Sequence, residues 1–457
     1  MKEFNFEKLP IVEIANEIII DAVNKGASDI HFDPSKDSLK IRFRIDGILS
    51  DYSIVPSKYK RNMISRIKMI AGMNIMETRL PQDGAIKSKI GDRLLDLRVS
   101  TLPTNNAEKI VIRILDYSMS LAGLDNLGFS KDAMEKINKL IRIPNGIILV
   151  TGATGTGKST TLYSILQKLN TEEVNIITVE DPVEMDIAGI NQVQTQTEIG
   201  LTFATILRSI LRQDPNIIMI GEIRDDETAR IAVRASITGH LVLSTLHTNN
   251  SLNTIERLTD MDVERYLLGS SLEGIISQRL ARKLCPNCMI KRQTTEYEKQ
   301  VFKTVIGKDI NEMYVANKEG CPRCNHGYRG RLAILEVLVM NEKIKDAITN
   351  NAPKHVLRDL VYTGEVVTLL QDGLNKVVEG ETSFEEILKI VDLENDMTAY
   401  KDDNLVANLK MAQKAHSIKE TPQQPTPQVT QQVQQTVQPQ PQQINNQIQN
   451  NVETVEF

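Results

Sequence analysis

The stretch Gly146-Ile-Ile-Leu-Val-Thr-Gly152-Ala-Thr-Gly-Thr-Gly157-Lys158-Ser159 decides the fold of this chain. Its second half, Gly152 to Ser159, is a complete Walker A sequence. An apolar strand-like run, Ile147 to Val150, precedes it, and a helical pattern from Thr160 to Lys168 follows. A strand, a glycine-rich loop and a helix in this order form a cradle for phosphate groups. The sequence therefore predicts a nucleotide site in an α/β fold.

Each residue type in this loop has a physical task. Glycines let successive backbone N–H groups face phosphate oxygens, and the N-terminus of the following helix adds its positive dipole. Lys158 is expected to reach the β- and γ-phosphates of ATP, and Ser159 to ligate Mg²⁺. The predicted nucleotide-contacting residues of the loop are Gly152, Thr154, Gly155, Thr156, Gly157, Lys158, Ser159 and Thr160.

Apolar, β-rich runs continue to alternate with helical patterns beyond the loop. They are Asn175 to Glu180, Asn216 to Ile223 and His240 to His247. Near-continuous apolar strands separated by helices indicate a parallel sheet covered on both faces. Between two of these strands, apolar residues from Phe203 to Leu211 keep helical spacing, which is typical of a core-facing helix.

Hydrolysis of a bound triphosphate also needs carboxylates near the metal ion and the attacking water. Two acidic sequences stand at the ends of predicted strands, Glu180-Asp181-Pro-Val-Glu184 and Gly221-Glu222. The second resembles a Walker B strand with glycine at the usual aspartate position, which favours a metal held partly through water. Each carboxylate could instead cap a helix or lie solvated in a loop. His240 and His247 flank the next strand, and each could instead be a structural hydrogen-bond donor.

The segment before the nucleotide loop predicts a smaller α/β domain. A helical pattern covers Pro10 to Lys25. Alternating, strand-like stretches follow at Leu39 to Ile45, Arg93 to Val99 and Lys109 to Leu115. A short turn-rich connection around Ser118 to Phe129 then leads towards the nucleotide loop.

The C-terminal part changes character. Ser383 followed by Glu386 predicts a capping box that opens a short helix ending at Ile390. From Thr421 to Val452 no residue is charged, and Gln, Asn, Pro and Thr dominate. Such a stretch cannot bury enough apolar surface to offset its ordering entropy. We predict a disordered tail, either a dispensable extension or a tether for a partner.

The four cysteines fall into two Cys-Pro-x-Cys pairs, separated by 32 residues. They are Cys285, Cys288, Cys321 and Cys324. Four thiolates form the closed tetrahedral shell typical of structural Zn²⁺, and a redox pair is the alternative. The segment between the pairs, Met289 to Gly320, mixes both charges with few aromatic residues, which favours a scaffold over a nucleic-acid-binding ribbon.

Composition narrows the class of protein further. The net charge of −5 gives no bulk electrostatic reason to expect nucleic-acid binding. The uncharged apolar runs are too short to span a bilayer, and the N-terminus lacks the pattern of a secretory signal. We therefore expect a cytoplasmic protein without direct membrane insertion.

At this level of detail the chain resembles the secretion ATPase superfamily, specifically its type II secretion and type IV pilus assembly branch (GspE/PilB-like). The matching residues run from about Pro10 to Ile390. They are Glu180-Asp-Pro-Val-Glu184 (the Asp box), Gly221-Glu-Ile-Arg-Asp225 (Walker B), Thr238 to Asn249 (the His box) and Arg79-Leu-Pro-Gln-Asp-Gly84.

The resemblance implies a domain organisation. The expected parts are a PAS-like α/β domain over 1–117, a linker over 118–129, a RecA-like ATPase domain over 130–393 with a zinc-binding insertion at 283–328, and a Gln/Pro-rich tail over 394–457. Because the small domain begins almost at Met1, the extra N-terminal docking domain of some family members is not expected.

The resemblance also implies an activity. Six copies would form a ring that hydrolyses Mg-ATP to power type IV pilus or type II secretion pseudopilus assembly. The ring would lie on the cytoplasmic face of the membrane and contact an inner-membrane platform protein. Pilus retraction and DNA uptake or transfer are alternatives within the superfamily, and the tetracysteine element, typically absent from retraction ATPases, favours assembly.

Roles for individual residues follow from the same resemblance. Glu184 and Glu222 are associated with Mg²⁺ and the hydrolytic water, and Glu180 and Asp181 complete the acidic box. His240 and His247 are associated with sensing the γ-phosphate and contacting neighbouring parts. Arg98 and Arg113 of the small domain are expected to reach the phosphates.

Two other classes of activity stay open at this point. A RecA-like nucleic-acid translocase would show DNA-stimulated ATPase activity. A non-enzymatic nucleotide switch is allowed by Gly221 at the usual aspartate position. ATP turnover that Lys158→Ala abolishes would exclude it.

Overall fold

The computed structural model of the protein describes residues 1–90, 93–116, 123–362 and 365–391. They belong to one of two compact units, Met1–Gln413. The predicted tail over 394–457 lies outside the described residues, and so does the first part of the predicted linker, 118–122.

An antiparallel sheet of six strands with two helices forms the N-terminal part of the described chain. Its elements are α1 (Ile11–Asn24), β1 (Ala27–Pro34), β2 (Ser38–Ile45), β3 (Ile48–Pro56), α2 (Ser57–Ile70), β4 (Gln82–Ile90), β5 (Arg93–Pro103) and β6 (Glu108–Asp116). The strand order is β3-β2-β1-β6-β5-β4. The helix and the three strands predicted from sequence are confirmed as α1, β2, β5 and β6, whereas β1, β3 and β4 were not predicted.

Helix α1 packs on this sheet through one face. Ile14, Ile18 and Ala22 recur every fourth residue and are fully buried in one cluster with Phe32 and Phe43 of the strands. Residues four apart lie on the same side of a helix, so the apolar spacing alone selects the buried face.

The register of the small sheet aligns charged residues across neighbouring strands. Asp29 of β1 is paired with Arg113 of β6, and Arg113 is paired with Arg98 of β5. On the other side, Asp29 is paired with Arg44 of β2. Directly paired residues project from the same face of a sheet, so these side chains form one row.

The second sheet contains seven strands in the order β15-β12-β7-β11-β10-β8-β9. The strands of the C-terminal part are β7 (Gly146–Thr151), β8 (Ile176–Glu180), β9 (Asn191–Gln194), β10 (Ile217–Ile220), β11 (Leu241–Leu246), β12 (Leu272–Leu284), β13 (Ile290–Gln293), β14 (Glu312–Val315) and β15 (Tyr328–Val339). The predicted parallel sheet is confirmed from β12 to β9. The edge strand β15 differs, because it runs antiparallel to β12.

Helices cover both faces of this larger sheet. They are α3 (Lys131–Leu140), α4 (Lys158–Leu169), α5 (Phe203–Ile210), α6 (Asp226–Ile237), α7 (Ser251–Asp260), α8 (Arg265–Ser271), α9 (Glu296–Ile306), α10 (Glu342–Thr349), α11 (Lys354–Tyr362), α12 (Leu369–Val378) and α13 (Phe384–Ile390). In β7, Ile147 and Leu149 belong to one core cluster and Ile148 and Val150 to another. The strand is therefore buried on both sides, as its uninterrupted apolar run predicts.

The excursion between the two cysteine pairs adds a two-stranded sheet and a helix, whose buried residues share a core cluster with α12 and α13. Strands β13 and β14 pair antiparallel, and α9 lies between them in sequence. Thr295 and Glu298 form a reciprocal capping box at the start of α9. In the part of the chain with described coordinates, no helix is long and apolar enough to cross a membrane.

The predicted capping box at Ser383 forms only in half. The Ser383 hydroxyl accepts a hydrogen bond from the backbone N–H of Glu386, as expected. The Glu386 carboxylate instead accepts hydrogen bonds from the guanidinium and the backbone N–H of Arg282 on β12. A charge-assisted hydrogen bond from a half-buried arginine is stronger than a hydrogen bond from a neutral backbone N–H, so Glu386 pairs with the more distant Arg282.

Candidate active site

The Gly152–Ser159 loop joins the end of β7 to the start of α4. Gly157 has φ 88°, in the left-handed region that glycine tolerates, and a Cβ there would lie 2.8 Å from Gln278 Nε2. A glycine is required here by conformation and by space. The loop thus presents its backbone N–H groups at the N-terminus of α4, where an anion is favoured.

Lys158 is buried within this loop. Its ammonium donates to the carbonyl oxygens of Gly152, at 2.9 Å, and Ala153, at 3.1 Å. Burial lowers the pKa of Lys158, and the carboxylate of Glu222 acts in the opposite direction. Phosphate oxygens are stronger acceptors for this ammonium than carbonyl oxygens are, because they carry charge.

A cavity of about 730 Å³ opens in front of the loop. The predicted site residues that line it are Arg98, Arg113, Thr154, Gly155, Gly157, Lys158, Ser159, Thr160, Glu180, Asp181, Glu184, Glu222 and His247. Gly152 and Thr156 belong to the loop but do not line the cavity. The cavity therefore brings together residues of both sheets.

His240 lies elsewhere. It precedes β11, whereas His247 follows the same strand, so the two histidines stand at opposite edges of the sheet. The His240 ring nitrogen Nδ1 lies 2.8 Å from the Ala235 carbonyl oxygen, at the end of α6. A parallel strand of this length separates its ends by about 20 Å. His240 is not brought to the cavity of its own chain.

Glu222 follows β10 and points into the cavity. One oxygen accepts a hydrogen bond from Arg224, and the other lies 3.3 Å from His247 Nε2. Partial burial acts to raise the pKa of Glu222, but the hydrogen bond and charge of Arg224, together with His247, lower that pKa below its ordinary value. Glu222 is therefore held as a carboxylate facing the loop lysine.

Glu184 contacts the six-stranded sheet. Its Oε2 lies 2.6 Å from Arg98 Nη2. Burial raises the pKa of Glu184 above its ordinary value, and the nearby Arg98 acts against that rise. Arg113 is held on its own sheet instead, 3.3 Å from Asp29. Arg98 is therefore paired with a carboxylate next to the seven-stranded sheet, and Arg113 with a carboxylate of its own six-stranded sheet.

Glu180 differs from the other acidic residues of the cavity. It is 4% exposed, and it accepts hydrogen bonds from Tyr163, Thr178 and Gln192. Tyr163 and Gln192 are residues that the sequence pattern did not single out.

The sequence pattern did not single out Gln278 either. It lies on β12, and its side-chain amide donates to the carbonyl of Thr156 at 2.8 Å and accepts from the hydroxyl of Thr161 at 2.8 Å. It thus supports the loop and the first turn of α4 together. No local pattern marks it, because β12 follows the loop by more than a hundred residues in sequence.

The tetracysteine cluster has the dimensions of a zinc site. The sulfurs of Cys285 and Cys321 are 3.8 Å apart, and those of Cys288 and Cys324 are 3.6 Å apart. All four sulfurs lie within 4.8 Å of one another. Tetrahedral Zn²⁺ with bonds of about 2.3 Å requires sulfur separations of about 3.8 Å. The residues present therefore fit a structural zinc ion, and Cys321 adds a backbone N–H bond to Cys324 Sγ.

Solved structures share this fold. The ATPase DotB of Legionella pneumophila superposes with a TM-score of 0.62 at 22% sequence identity, covering 85% of this chain and 97% of DotB. The pilus retraction motor PilT, solved with bound ADP, superposes with a TM-score of 0.52 at 25% identity, covering 87% of this chain and 98% of PilT. With the glycine-rich loop, Lys158 and the acidic residues around one cavity, the fold is that of an ATPase.

Sequence relatives then specify which ATPase family this is. The model of the family described as Type II/IV secretion system protein matches residues 5–389, and the chain belongs to that family. It is 44% identical over 382 residues to the type II secretion system ATPase E of Vibrio cholerae, covering 83% of this chain and 75% of the relative. It is 45% identical over 381 residues to the type IV pilus assembly ATPase PilB of Myxococcus xanthus, covering 83% and 67%. The predicted GspE/PilB-like secretion ATPase is confirmed.

Proposed function

We propose that this ATPase works as a homohexameric, Mg-ATP-hydrolysing motor that powers assembly of a type IV pilus or a type II secretion pseudopilus. One observation carries the proposal: a single cavity joins the phosphate-binding loop, the carboxylates of Glu184 and Glu222, and two arginines of the small sheet, Arg98 and Arg113. Hydrolysis at such a site would change which groups the arginines contact, and so how the domains are held together.

The loop residues have separate roles in this proposal. Backbone N–H groups of Gly155 and Gly157 and the ammonium of Lys158 bind phosphate oxygens. The Ser159 hydroxyl, with Glu222 nearby, would hold Mg²⁺, which supplies charge neutralisation between the β- and γ-phosphates. Glu184, with its raised pKa, is placed to orient the attacking water and accept its proton.

A second cavity, of about 990 Å³, adjoins the first. Gly157, Thr160, Leu280 and Arg331 line both cavities. We assign the triphosphate to the first cavity and the nucleoside to the second, since the phosphate chain would then cross the loop where the two meet.

Arg98 and Arg113 link chemistry to motion. A guanidinium that reaches the γ-phosphate stabilises the charge of the transition state and leaves when the phosphate is released. Because both arginines belong to the small domain, each turnover would close and reopen the contact between the domains. In this proposal the small domain covers 1–117, the linker 118–129 and the ATPase domain 130–393.

The tetracysteine cluster is proposed to hold a structural Zn²⁺. Together with the named relatives, which include a secretion ATPase and a pilus assembly ATPase, it favours assembly over retraction. We propose an inner-membrane platform protein as the partner that recruits the ring to the cytoplasmic face of the membrane. Retraction and DNA uptake remain the alternative outputs of the same superfamily.

The proposal is tested by deleting the gene and restoring it as wild type or as Lys158→Ala. Loss of surface pili or of protein secretion, restored by the wild type alone, is the expected result. Lys168→Ala, at the far end of the same helix, serves as the matched control. A Lys158→Ala chain that restores the phenotype and still hydrolyses ATP would refute the proposal, and loss of DNA uptake alone would favour the alternative output.

A further inference from the structure

We propose that Tyr163 is a positioning residue for ATP hydrolysis: with Glu180 as its anchor, it fixes the Asp181–Glu184 loop to the nucleotide-binding helix. In this arrangement Glu180 does not act as a ligand of the metal ion. The inference rests on the proposed role of Glu184 at the hydrolytic water.

Tyr163 stands on the helix that carries the phosphate site. It follows Ser159 by four residues on α4, so the two side chains lie on the same side of that helix. The Tyr163 side chain is buried, and its hydroxyl donates a hydrogen bond to Glu180 Oε2. The same hydroxyl oxygen accepts a hydrogen bond from the backbone N–H of Glu184, at 3.1 Å.

One hydroxyl therefore contacts both ends of the acidic loop. Glu180 is the last residue of β8, and Glu184 ends the loop that faces Arg98. A phenol is rigid, with only two side-chain torsions, so its oxygen is placed by the packing of the ring. The position of the Glu184 backbone is thereby set by α4, the helix that also begins with Lys158 and Ser159.

Glu180 has the environment of an anchor. Its Oε1 accepts hydrogen bonds from Thr178, at 2.5 Å, and Gln192, at 3.0 Å, while Oε2 accepts from Tyr163. Glu180 is only 4% exposed, although it borders the cavity. Direct coordination of a metal ion would replace these buried hydrogen bonds and leave their donors unpaired, which is costly.

Glu184 and Glu222 have the opposite environment. Their side chains are 33% and 20% exposed, and their oxygens face arginine or histidine side chains in the cavity. A phosphate, a water or a metal ion can replace Arg98, Arg224 or His247 at these carboxylates without leaving a buried hydrogen-bond donor unpaired. Of the three glutamates around the cavity, Glu180 is thus a buried anchor, and Glu184 and Glu222 are available for chemistry.

The other hydrogen bonds of this segment hold the residues on either side of Glu184: Arg98 donates to the Val183 carbonyl at 3.4 Å, and Gln192 donates to the Met185 carbonyl at 2.9 Å. Val183 N–H donates to Gln194 at 3.3 Å in an exposed position. Ile187 N–H donates to Gln192 beyond the loop. Loss of the Tyr163 hydroxyl would therefore release the Glu184 backbone, and a displacement of about 1 Å at a reacting group costs about 10²-fold in rate.

The test compares steady-state ATP hydrolysis by the full-length protein in its purified oligomeric state. Tyr163→Phe keeps the ring and removes the hydroxyl, and kcat should fall about 10- to 100-fold while KM stays within about twofold. Glu180→Gln keeps a hydrogen-bonding side chain of the same shape and should retain activity within about fivefold of wild type, whereas Glu180→Ala should fall as far as Tyr163→Phe. Tyr266→Phe, at an exposed tyrosine, is the matched control.

Several outcomes would overturn the inference. An unchanged kcat for Tyr163→Phe would do so. A lower kcat accompanied by a higher KM and a lower melting temperature would also do so, because it would indicate a merely structural role. Equal inactivity of Glu180→Gln and Glu180→Ala would show that the charge is required, as for a metal ligand. Glu184→Gln is assayed alongside: if it is fully active, the proposed function of the site fails, and if it is inactive while Tyr163→Phe is normal, only this inference fails.

Discussion

Arg98 Nη2 lies 2.6 Å from Glu184 Oε2, so an arginine of the small sheet is paired with a carboxylate of the nucleotide cavity. Both side chains are about one-third exposed, and such a pair contributes little to stability by itself. The γ-phosphate of a bound ATP would compete with Glu184 for Arg98, because it carries more negative charge. Arg98 would then bind the phosphate, and Glu184 would be free to contact the hydrolytic water.

Replacing both Arg98 and Arg113 by alanine should leave ATP binding near normal and lower hydrolysis by about 10³-fold or more. The reason is that a guanidinium arriving at the γ-phosphate acts mainly on the transition state. Binding is measured with a fluorescent ATP analogue and hydrolysis by phosphate release. Arg61→Ala, on the exposed face of α2, controls for loss of charge from the small domain, and turnover unchanged by the double replacement would rule the role out.

Gln278→Ala should weaken ATP binding by about 30-fold. The replacement removes two buried hydrogen bonds that hold the loop and α4 in their binding geometry, and each contributes about 1 kcal/mol. Titration with a fluorescent nucleotide measures the effect. Gln293→Ala, in the small two-stranded sheet, is the control, and an affinity equal to wild type for Gln278→Ala would show that the loop holds its shape unaided.

Elemental analysis of the purified protein should find one zinc ion per chain. Cys324→Ala should lose it, because three thiolates leave the tetrahedral shell open. The excursion that carries β13, β14 and α9 should then become sensitive to protease, since metal binding supplies about 10 to 16 kcal/mol of apparent stabilisation in such sites. A metal-free wild-type protein with the same protease resistance would contradict this expectation.

Glu336 should make stability depend on pH. Burial raises the pKa of Glu336 above its ordinary value, and the hydrogen bonding from Ser251 and the charge of Arg279 act against that rise without cancelling it. The folded state then binds a proton more readily than the unfolded state. Stability should fall as pH rises from about 4.3, the ordinary glutamate pKa, through the raised folded value, and then level off.

The measurement is urea unfolding of wild type and Glu336→Gln at a series of pH values. An amide cannot ionise but can still accept the hydrogen bond from Ser251, so the variant should lack this part of the slope. Glu172→Gln, at an exposed glutamate, should keep the wild-type slope. Equal slopes in all three proteins would show that Glu336 keeps one protonation state throughout.

The loop and its strand could be predicted from sequence because their information is local. An uninterrupted apolar run before Gly152 and a helical pattern after Lys158 are enough to define a strand, a loop and a helix. The same holds for the two cysteine pairs, whose spacing within each knuckle already fixes the sulfurs near one another.

Residues that act across the sheet could not be found in this way. Gln278 and Tyr163 are ordinary residues of a strand and a helix, and only the order of strands brings them to the loop and to Glu180. His240 is a further example, since its motif groups it with His247, whereas strand β11 separates the two residues within one chain. Contacts between distant segments decide both cases, and no local periodicity encodes them.

Strand β12 runs from the phosphate loop to the first cysteine pair, with one irregularity in its pairing with β15 between Arg282 and Leu284. Gln278 touches the phosphate loop in its middle, and the strand ends at Leu284, next to Cys285. It is hydrogen-bonded to β15, which begins just beyond Cys324, so both cysteine pairs adjoin one pair of strands. A displacement of the phosphate loop therefore has a mechanical route to the metal-binding knuckles about 23 Å away, at 3.3 Å per residue, and a lever of that length can enlarge a small movement at its base.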